Sequence, residues 1–296
     1  MPMTPVDTAL READRHVVAG QIQQAREALR RARMFCRQQN HSNEEAAILV
    51  RLGELALAEG QPTEAQGDLT EALALFGAEG DPGERAVALH LLGMAAEARG
   101  DFAARDTAWS AAAALFHGEG HGEGEARVLR AQARAAREAG DLETAFDCYA
   151  RALRFYSARG HTYHRGMILR ELGQLQGRKG RADLAHAAFD QAAELFHMSG
   201  DVLDEAWTAH DLGTLLAGLG DVEGARAALA KAARLFATAG HLGGEAEALL
   251  DLARLDASSQ PRAALKHARQ AAELAQRAGL EDLKTAALRE ADALVS

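Results

Sequence analysis

The chain has 296 residues, a formal net charge of −10 and a pI of about 5.7. Hydrophobic residues make up 48% of the sequence and aromatic residues only 5%, a composition typical of a helical protein whose helices pack closely. This composition argues against a disordered chain, and the acidic balance argues against non-specific nucleic-acid binding through bulk charge.

A 40-residue repeat runs from residue 1 to about residue 280 with no insertion or deletion. Two series of glycines mark it. The first series is Gly80, Gly120, Gly160, Gly200 and Gly240, and the second is Gly20, Gly60, Gly100, Gly140, Gly180 and Gly220. Asn40 replaces glycine in the first block, and both residue types tolerate the left-handed backbone that ends a helix. The pattern therefore predicts two helices in each block.

The predicted elements follow the blocks in chain order. The blocks are 1–40, 41–80, 81–120, 121–160, 161–200, 201–240 and 241–280, and a capping helix follows at 281–296. First helices are predicted near 44–58, 84–98, 124–138, 164–178, 204–218 and 244–257. Second helices are predicted near 62–77, 102–117, 142–157, 182–197, 222–237 and 262–277. Aspartates after the glycines predict N-caps at Asp81, Asp101, Asp141, Asp201 and Asp221.

Each block places specific residue types at fixed positions. The first helix carries a Leu-Gly pair in four blocks, at Leu52-Gly53, Leu92-Gly93, Leu172-Gly173 and Leu212-Gly213. The second helix has a large residue at Leu69, Trp109, Tyr149, Phe189 and Leu229. A ring follows seven residues later, from Phe76 to Phe236. One helix pair cannot bury these residues alone, so stacked pairs are expected to share a continuous core. The seventh block departs, with Gln260 for glycine and Arg269 for the large residue.

These positions resemble those of tetratricopeptide repeat proteins, in a variant with 40 residues per repeat. The Leu-Gly pair, the turn glycine, the early alanine of the second helix and the large residue after it all match. The resemblance covers nearly the whole chain. It implies an all-α, right-handed superhelical solenoid of seven antiparallel helix pairs with a C-terminal capping helix.

The stretch LFHGEGHGEGEA, at 115–126, combines two histidines with three glutamates. His117 and His121 are therefore candidate metal ligands. However, Gly120 is the turn residue of the repeat, and position 121 holds histidine or aspartate in successive blocks. The favoured interpretation is a turn between blocks that binds no metal.

The sequence contains no P-loop, HExxH or GxSxG motif and no predicted strand. We expect no enzymatic activity and no cofactor. The first residues lack the features of a signal peptide, and no run of 18 apolar residues occurs. Cys36 and Cys148 stand in no metal or redox spacing, which favours buried thiols in a reducing compartment. The expectation is a cytoplasmic protein without membrane or nucleic-acid partners.

The resemblance implies that first helices line a concave groove, with one position per block at Val50, His90, Arg130, Arg170, His210 and Leu250. The helix at 124–138 adds an arginine stripe, since Arg127, Arg130, Arg134 and Arg137 fall within an arc of about 80°. The predicted groove residues are Arg51, His90, Met94, Arg127, Arg130, Arg134, Arg137, Arg170, Arg178, Trp207 and His210. Arginine suits carboxylate recognition. The alternative is that these arginines pair with acids on adjacent helices, such as Glu138 and Glu171.

The sequence therefore predicts a protein-interaction scaffold that binds an acidic, partly hydrophobic peptide or protein segment in this groove. Two alternatives stay open. One is a ligand-responsive sensor that regulates a partner, and the other is self-assembly into a homo-oligomer.

Overall fold

The computed structural model describes residues 5–78 and 80–295, apart from the side chains of residues 5 and 7. These residues form fifteen α-helices. The first helices of successive pairs are α1 (Pro5–Val18), α3 (Ser42–Ala58), α5 (Pro82–Ala98), α7 (Gly122–Glu138), α9 (Thr162–Arg178), α11 (Val202–Gly218) and α13 (Leu242–Asp256). The second helices are α2 (Ile22–Gln39), α4 (Pro62–Phe76), α6 (Phe102–Gly118), α8 (Leu142–Ala158), α10 (Ala182–Ser199), α12 (Val222–Ala239) and α14 (Pro261–Ala278). The chain closes with α15 (Glu281–Ala293). The predicted seven pairs and capping helix are confirmed for the described residues.

The chain divides into two compact units after Gln132, which lies within α7. The first unit holds α1 to α6 and the beginning of α7. The second unit holds the rest of α7 and α8 to α15. Within each unit, consecutive helices pack in chain order, as α3 does on α4 and α11 on α12. Each unit is thus an all-α array of repeated helix pairs.

The turns between helices depend on the left-handed residues that the repeat predicts. Gly240 ends α12 with φ of 69°, and the following N–H of His241 donates to the Phe236 carbonyl over 2.9 Å. Asn40 adopts the same conformation with φ of 58° and ends α2. The prediction that asparagine substitutes for glycine in the first block is confirmed.

The helix starts depend on aspartate caps in four of the five predicted places. The carboxylates of Asp81, Asp101, Asp141 and Asp221 each accept a bond from the backbone N–H three residues later. Asp201 is the N-cap residue of α11, as predicted, but it does not cap the helix through its side chain. Its carboxylate instead accepts a bond from the Ser199 hydroxyl.

The Leu-Gly pair exists because the glycine faces the large residue of its partner helix. A Cβ atom at Gly93 would overlap the indole of Trp109, and one at Gly53 would lie 2.7 Å from Leu69 Cγ. Trp109 is 1% exposed and its Nε1 donates to the His90 carbonyl over 3.1 Å. Glycine in the first helix therefore lets the second helix approach closely enough to bury a large side chain.

The seventh pair breaks the predicted register by one residue. Helix α14 begins at Pro261 and ends at Gly279, one residue earlier than the repeat requires. Its fully buried residues are Ala264, Ala268, Ala271 and Ala275. The large-residue position is thus Ala268, and Arg269 lies exposed beside it. The expectation of an unbroken register to residue 280 is wrong, because α14 starts 19 residues after the start of α13, whereas α4, α6, α8, α10 and α12 each start 20 residues after the start of their first helices.

Both cysteines are free thiols in the helix-pair core, with Cys36 fully buried and Cys148 8% exposed. Burial raises the pKa of each thiol. None of the described helices combines the length and apolar character required to cross a membrane.

Candidate functional site

The first unit carries a cavity of about 830 Å³ on the face formed by its first helices. Helices α1, α3, α5 and α7 line it. Its residues are Leu10, Asp14, Ala47, Val50, Arg51, Glu54, Leu57, Ala58, Glu84, Val87, His90, Leu91, Met94 and Arg127. Four of the predicted groove residues are among them, namely Arg51, His90, Met94 and Arg127. The first-helix face of this unit is therefore concave.

This cavity carries less positive charge than the sequence suggests. Arg51 forms ion pairs with Asp14 and with Glu54, at 3.1 Å in the second case. Burial, with a further contribution from Arg127, lowers the pKa of His90 to about 4, so its imidazole is neutral at pH 7. Arg127 is exposed at the rim and forms no hydrogen bond or ion pair within the described part of the chain. The cavity thus combines apolar walls with one available cation.

The second unit has its own cavity of about 430 Å³ on its first-helix face. Its lining residues are Arg137, Gly173, Gln174, Gly177, Arg178, Phe189, His210, Asp211, Thr214 and Leu215. Two glycines of α9 lie against apolar side chains of this lining. A Cβ atom at Gly173 would lie 2.8 Å from the Phe189 ring, and one at Gly177 would lie 3.2 Å from Leu215. The cavity therefore has an apolar floor with charged groups around it.

Two predicted ladder residues of this unit are engaged by carboxylates on the next first helix. Arg170 Nε donates to Asp211 Oδ2 over 2.6 Å, and His210 Nε2 lies 3.0 Å from Asp251 Oδ2. In both pairs the acid comes 41 residues after the base. The alternative interpretation of intramolecular pairing thus applies to Arg170 and to Arg51. The observed acceptors include Asp211 and Asp14, which were not foreseen.

Arg137 differs from Arg170 because no carboxylate neutralises it within the described residues. Its Nη1 donates to Gln174 Oε1 over 2.6 Å, and its buried Nε has no partner. Gln174 in turn donates to Asp211 over 2.8 Å, so that acid is already shared with Arg170. Arg178 approaches from α9 and donates to the Arg137 carbonyl over 3.4 Å. Two guanidinium groups therefore border one cavity without an anion between them.

The predicted groove residues Arg130, Arg134, Arg170 and Trp207 line neither cavity. Arg130 is half-buried on α7, and Arg134 is exposed. Trp207 is half-buried and packs edge-on against Phe236 with 4.7 Å between ring centroids. The Arg170 guanidinium lies 5.9 Å from the Trp207 ring centroid, within cation–π range. Trp207 is therefore partly a core residue and partly a support for Arg170.

The histidines of the turn at 115–126 do not assemble a ligand cluster. His117 Nδ1 lies 3.0 Å from Glu125 Oε2, and His197 and Glu205 repeat this pair at 3.2 Å. His121 is exposed. Across 5–78 and 80–295, no group of three or more His, Cys, Asp or Glu residues has the geometry to hold a metal ion. Packing explains the glycine at position 124, because a Cβ atom there would overlap the Phe116 ring.

The fold matches solved structures of helical repeat proteins over most of its length. It aligns with a TM-score of 0.77 and 14% identity to a signal transduction ATPase with numerous domains that has a tetratricopeptide repeat sensor, from Pyrococcus horikoshii, covering 98% of this chain and 43% of that one. A tetratricopeptide repeat protein from Parabacteroides merdae aligns with a TM-score of 0.61 and 14% identity, covering 96% of this chain and 99% of that one. This chain has a tetratricopeptide repeat fold. The apo form of RapI shares that fold, with a TM-score of 0.70, 12% identity and coverage of 93% and 99%.

This chain spans less than half the length of the Pyrococcus horikoshii protein. No family model matches the sequence, and no curated protein matches it either. The resemblance read from Leu-Gly pairs and turn glycines is thus confirmed at the level of the fold.

The sequence analysis did not identify the hydrogen-bond acceptors on the first-helix face of the second unit. Gln174 and Asp211 connect two arginines, Arg137 of α7 and Arg170 of α9, yet the sequence analysis named only the arginines. A signal was present, because Asp211 and Asp251 each follow a ladder position by one residue. A residue one position after the ladder lies nearest to the preceding first helix.

Proposed function

We propose that this chain is a non-enzymatic protein-interaction module that binds an acidic, partly hydrophobic segment of a partner protein. The binding site is the first-helix face of the second unit, at the cavity between Arg137 and Arg178. Helical repeat arrays commonly present extended binding surfaces of this kind. The absence of a recognised catalytic motif in the sequence supports a binding role.

The observation that carries the proposal is the uncompensated charge of Arg137. Arg137 is half-buried and its Nε has no acceptor, and Asp211, the acid in the cavity lining, already accepts bonds from Arg170 and Gln174. An unpaired buried donor on a charged group is unfavourable, typically by about 1–3 kcal/mol or more. A carboxylate that enters the cavity supplies the missing acceptor and sits between two arginines.

The floor of the cavity adds the hydrophobic part of the specificity. Phe189 and Leu215 present apolar surface between the glycines of α9. A partner side chain such as leucine or phenylalanine fits this floor while a neighbouring aspartate or glutamate reaches Arg137. The cavity of the first unit, with Leu91 and Met94 in its wall and Arg127 at its rim, offers the same combination.

The test is an unbiased selection of displayed peptides on the purified chain, sequenced after several rounds. The proposal predicts enrichment of peptides with an acidic residue beside a large apolar residue. The same selection on the Arg137→Glu/Arg178→Glu variant is expected to lose these peptides. Arg37→Glu/Arg154→Glu is the matched control, because both arginines are exposed on second helices and their side chains form no hydrogen bond or ion pair within the described residues.

Two outcomes would refute the proposal. One is enrichment of the same acidic peptides on the charge-reversal variant. The other is enrichment of basic or uncharged peptides on the wild-type chain. A loss of binding in both variants would assign the effect to net charge rather than to the cavity.

A ligand-responsive sensor is the second candidate. The alignment over 98% of this chain with a protein described as carrying a tetratricopeptide repeat sensor favours it. A sensor changes its conformation on ligand binding, whereas a passive scaffold does not. Small-angle scattering with and without a selected peptide separates the two, since only the sensor is expected to change its radius of gyration at saturation.

A further inference from the structure

A second groove lies in the second unit, between helices α12 and α14, and residues of α13 such as Leu242 and Glu245 complete its lining. Its main cavity has a volume of about 940 Å³, and a neighbouring cavity of about 260 Å³ shares Ala237, Glu245 and Gln270 with it. We call it the α12–α14 groove. The sequence analysis did not identify this surface, and none of the predicted groove residues lines it.

The register shift of the seventh pair explains the surface that α14 presents. The shift places alanines on the buried side, including Ala268 where other pairs have leucine or an aromatic ring. On the other side of α14, the long cationic side chains therefore face the groove. Four of them line it, at Arg262, Lys266, Arg269 and Arg277. Residues spaced by three or four positions share one side of a helix, so these cations form a row about 22 Å long.

None of these four cations forms a hydrogen bond or an ion pair with another described residue, and all four are exposed. Arg226, on the facing helix α12, behaves differently. It bonds to Asp256 at 2.7 Å and to Glu223 at 2.6 Å. Like charges four residues apart on a helix destabilise it by about 0.2–0.5 kcal/mol per pair. The four side chains of this row are therefore available to bind anions.

The groove also contains apolar and acidic groups that limit what can bind. Leu242 and Leu265 are half-buried and Leu274 is 6% exposed, so an apolar strip runs beside the cations. Glu245 and Glu273 are the two acids in the lining, against four cations. An apolar strip beside a row of positive charge at helical spacing complements an amphipathic helix that has acidic residues next to its apolar face.

We infer that the α12–α14 groove is a docking site for an amphipathic, acidic helix of a partner protein, with its apolar face on Leu242 and Leu265 and its carboxylates on Arg262, Lys266 and Arg269. The helix would have about four turns, since the row of cations is about 22 Å long. This site is independent of the proposed first-helix site, because the two share no lining residue.

The probe is a synthetic, fluorescein-labelled 18-residue helical peptide with leucines on one face and glutamates beside them. Binding to the full chain is measured by fluorescence anisotropy. The triple variant Arg262→Glu/Lys266→Glu/Arg269→Glu is expected to raise the dissociation constant at least tenfold. Both chains are also titrated in the Arg137→Glu/Arg178→Glu background, in which the proposed first-helix site is removed. The tenfold difference is expected to persist there, which separates this site from the first-helix site.

Two controls make the result specific. Arg37→Glu/Arg154→Glu/Arg181→Glu reverses the same number of exposed cations elsewhere and is expected to bind like wild type. A scrambled peptide of equal composition, with its leucines spread around the helix, is expected to bind at least tenfold more weakly. Circular dichroism confirms that each variant is folded, and the substitutions of the triple variant and of its control are all at exposed positions.

The inference is overturned if the triple variant binds the probe as tightly as wild type. It is also overturned if the scrambled peptide binds equally well, since attraction by charge alone then accounts for the binding. An equal loss in the control variant would likewise refute it, because the α12–α14 groove would have no special role.

Discussion

Arg170 and Asp211 join two neighbouring first helices, α9 and α11, with 2.6 Å between Arg170 Nε and Asp211 Oδ2. Gln174 donates to the same carboxylate oxygen over 2.8 Å. The carboxylate thereby compensates one arginine of the predicted binding face and leaves Arg137 without an acid. Competition for a single carboxylate thus decides which arginine is available to a ligand.

The substitution Asp211→Asn tests this competition. It removes the charge that holds Arg170, so we expect a severalfold tighter affinity for the acidic peptides selected on the wild-type chain. The free energy of unfolding is expected to fall by about 1–2 kcal/mol, because a partly buried charged hydrogen bond is lost. Anisotropy titration and urea unfolding measure the two effects. Asp183→Asn, at an exposed position of α10, is the control for net charge. An equal gain of affinity in the control would contradict the competition.

The close contact between Gly93 and Trp109 predicts a loss of stability in Gly93→Ala. The added Cβ atom would overlap a fully buried indole, and overpacking of this kind costs about 1–3 kcal/mol. Gly67→Ala is the matched control, because a Cβ atom there has no neighbour within 4 Å. Alanine at this helical position is expected to stabilise the chain by about 0.5–1 kcal/mol. Urea unfolding followed by circular dichroism measures both, and equal effects of the two substitutions would disprove the packing explanation.

The lowered pKa of His90 predicts that the free energy of unfolding depends on pH. This pKa is lowered from 6.5 to about 4 in the folded chain, chiefly by burial. The unfolded chain therefore binds a proton at His90 below about pH 6.5, while the folded chain does so only near pH 4. The contribution of His90 to the free energy of unfolding falls through this window, by at most roughly 3 kcal/mol.

The difference between wild type and His90→Gln isolates this contribution. Glutamine takes up no proton, so wild type is expected to lose stability relative to the variant as the pH falls from 7 to 4.5. Urea unfolding at several pH values provides the measurement. His121→Gln removes an exposed histidine and is expected to leave the pH dependence unchanged. Parallel curves for wild type and His90→Gln would show that His90 titrates normally.

The fold could be predicted from the sequence because its signals are local. Glycine and asparagine at helix ends, such as Asn40, are required by a left-handed backbone, and Gly93 is required by the ring opposite it. These constraints recur every 40 residues and reinforce one another. The register of α14 was missed because the segment from the start of α13 to the start of α14 is one residue shorter than in the five preceding pairs. The turn before α14 also has Gln260 in place of the glycine that marks the register elsewhere.

The charges of the binding face could not be predicted in the same way. Whether Arg170 or Arg137 is compensated depends on which carboxylate lies within about 4 Å, and that depends on the packing of adjacent helices. The sequence shows only that Asp211 comes 41 residues after Arg170 and 37 residues after Gln174, and it does not show which side chain the carboxylate contacts. Small differences in helix crossing therefore select the partner. The exposed Arg127, by contrast, follows directly from its place beside the core face of α7.

The central proposal is most directly tested by the NMR signal of the Arg137 Nε–Hε group. The signal is assigned by its loss in Arg137→Lys, and it is followed as a selected acidic peptide is added to the wild-type chain. Because this donor has no acceptor in the structure, carboxylate binding is expected to move its proton signal downfield and to slow its exchange with water. A saturating peptide that leaves the Arg137 signal unchanged would contradict the proposed site.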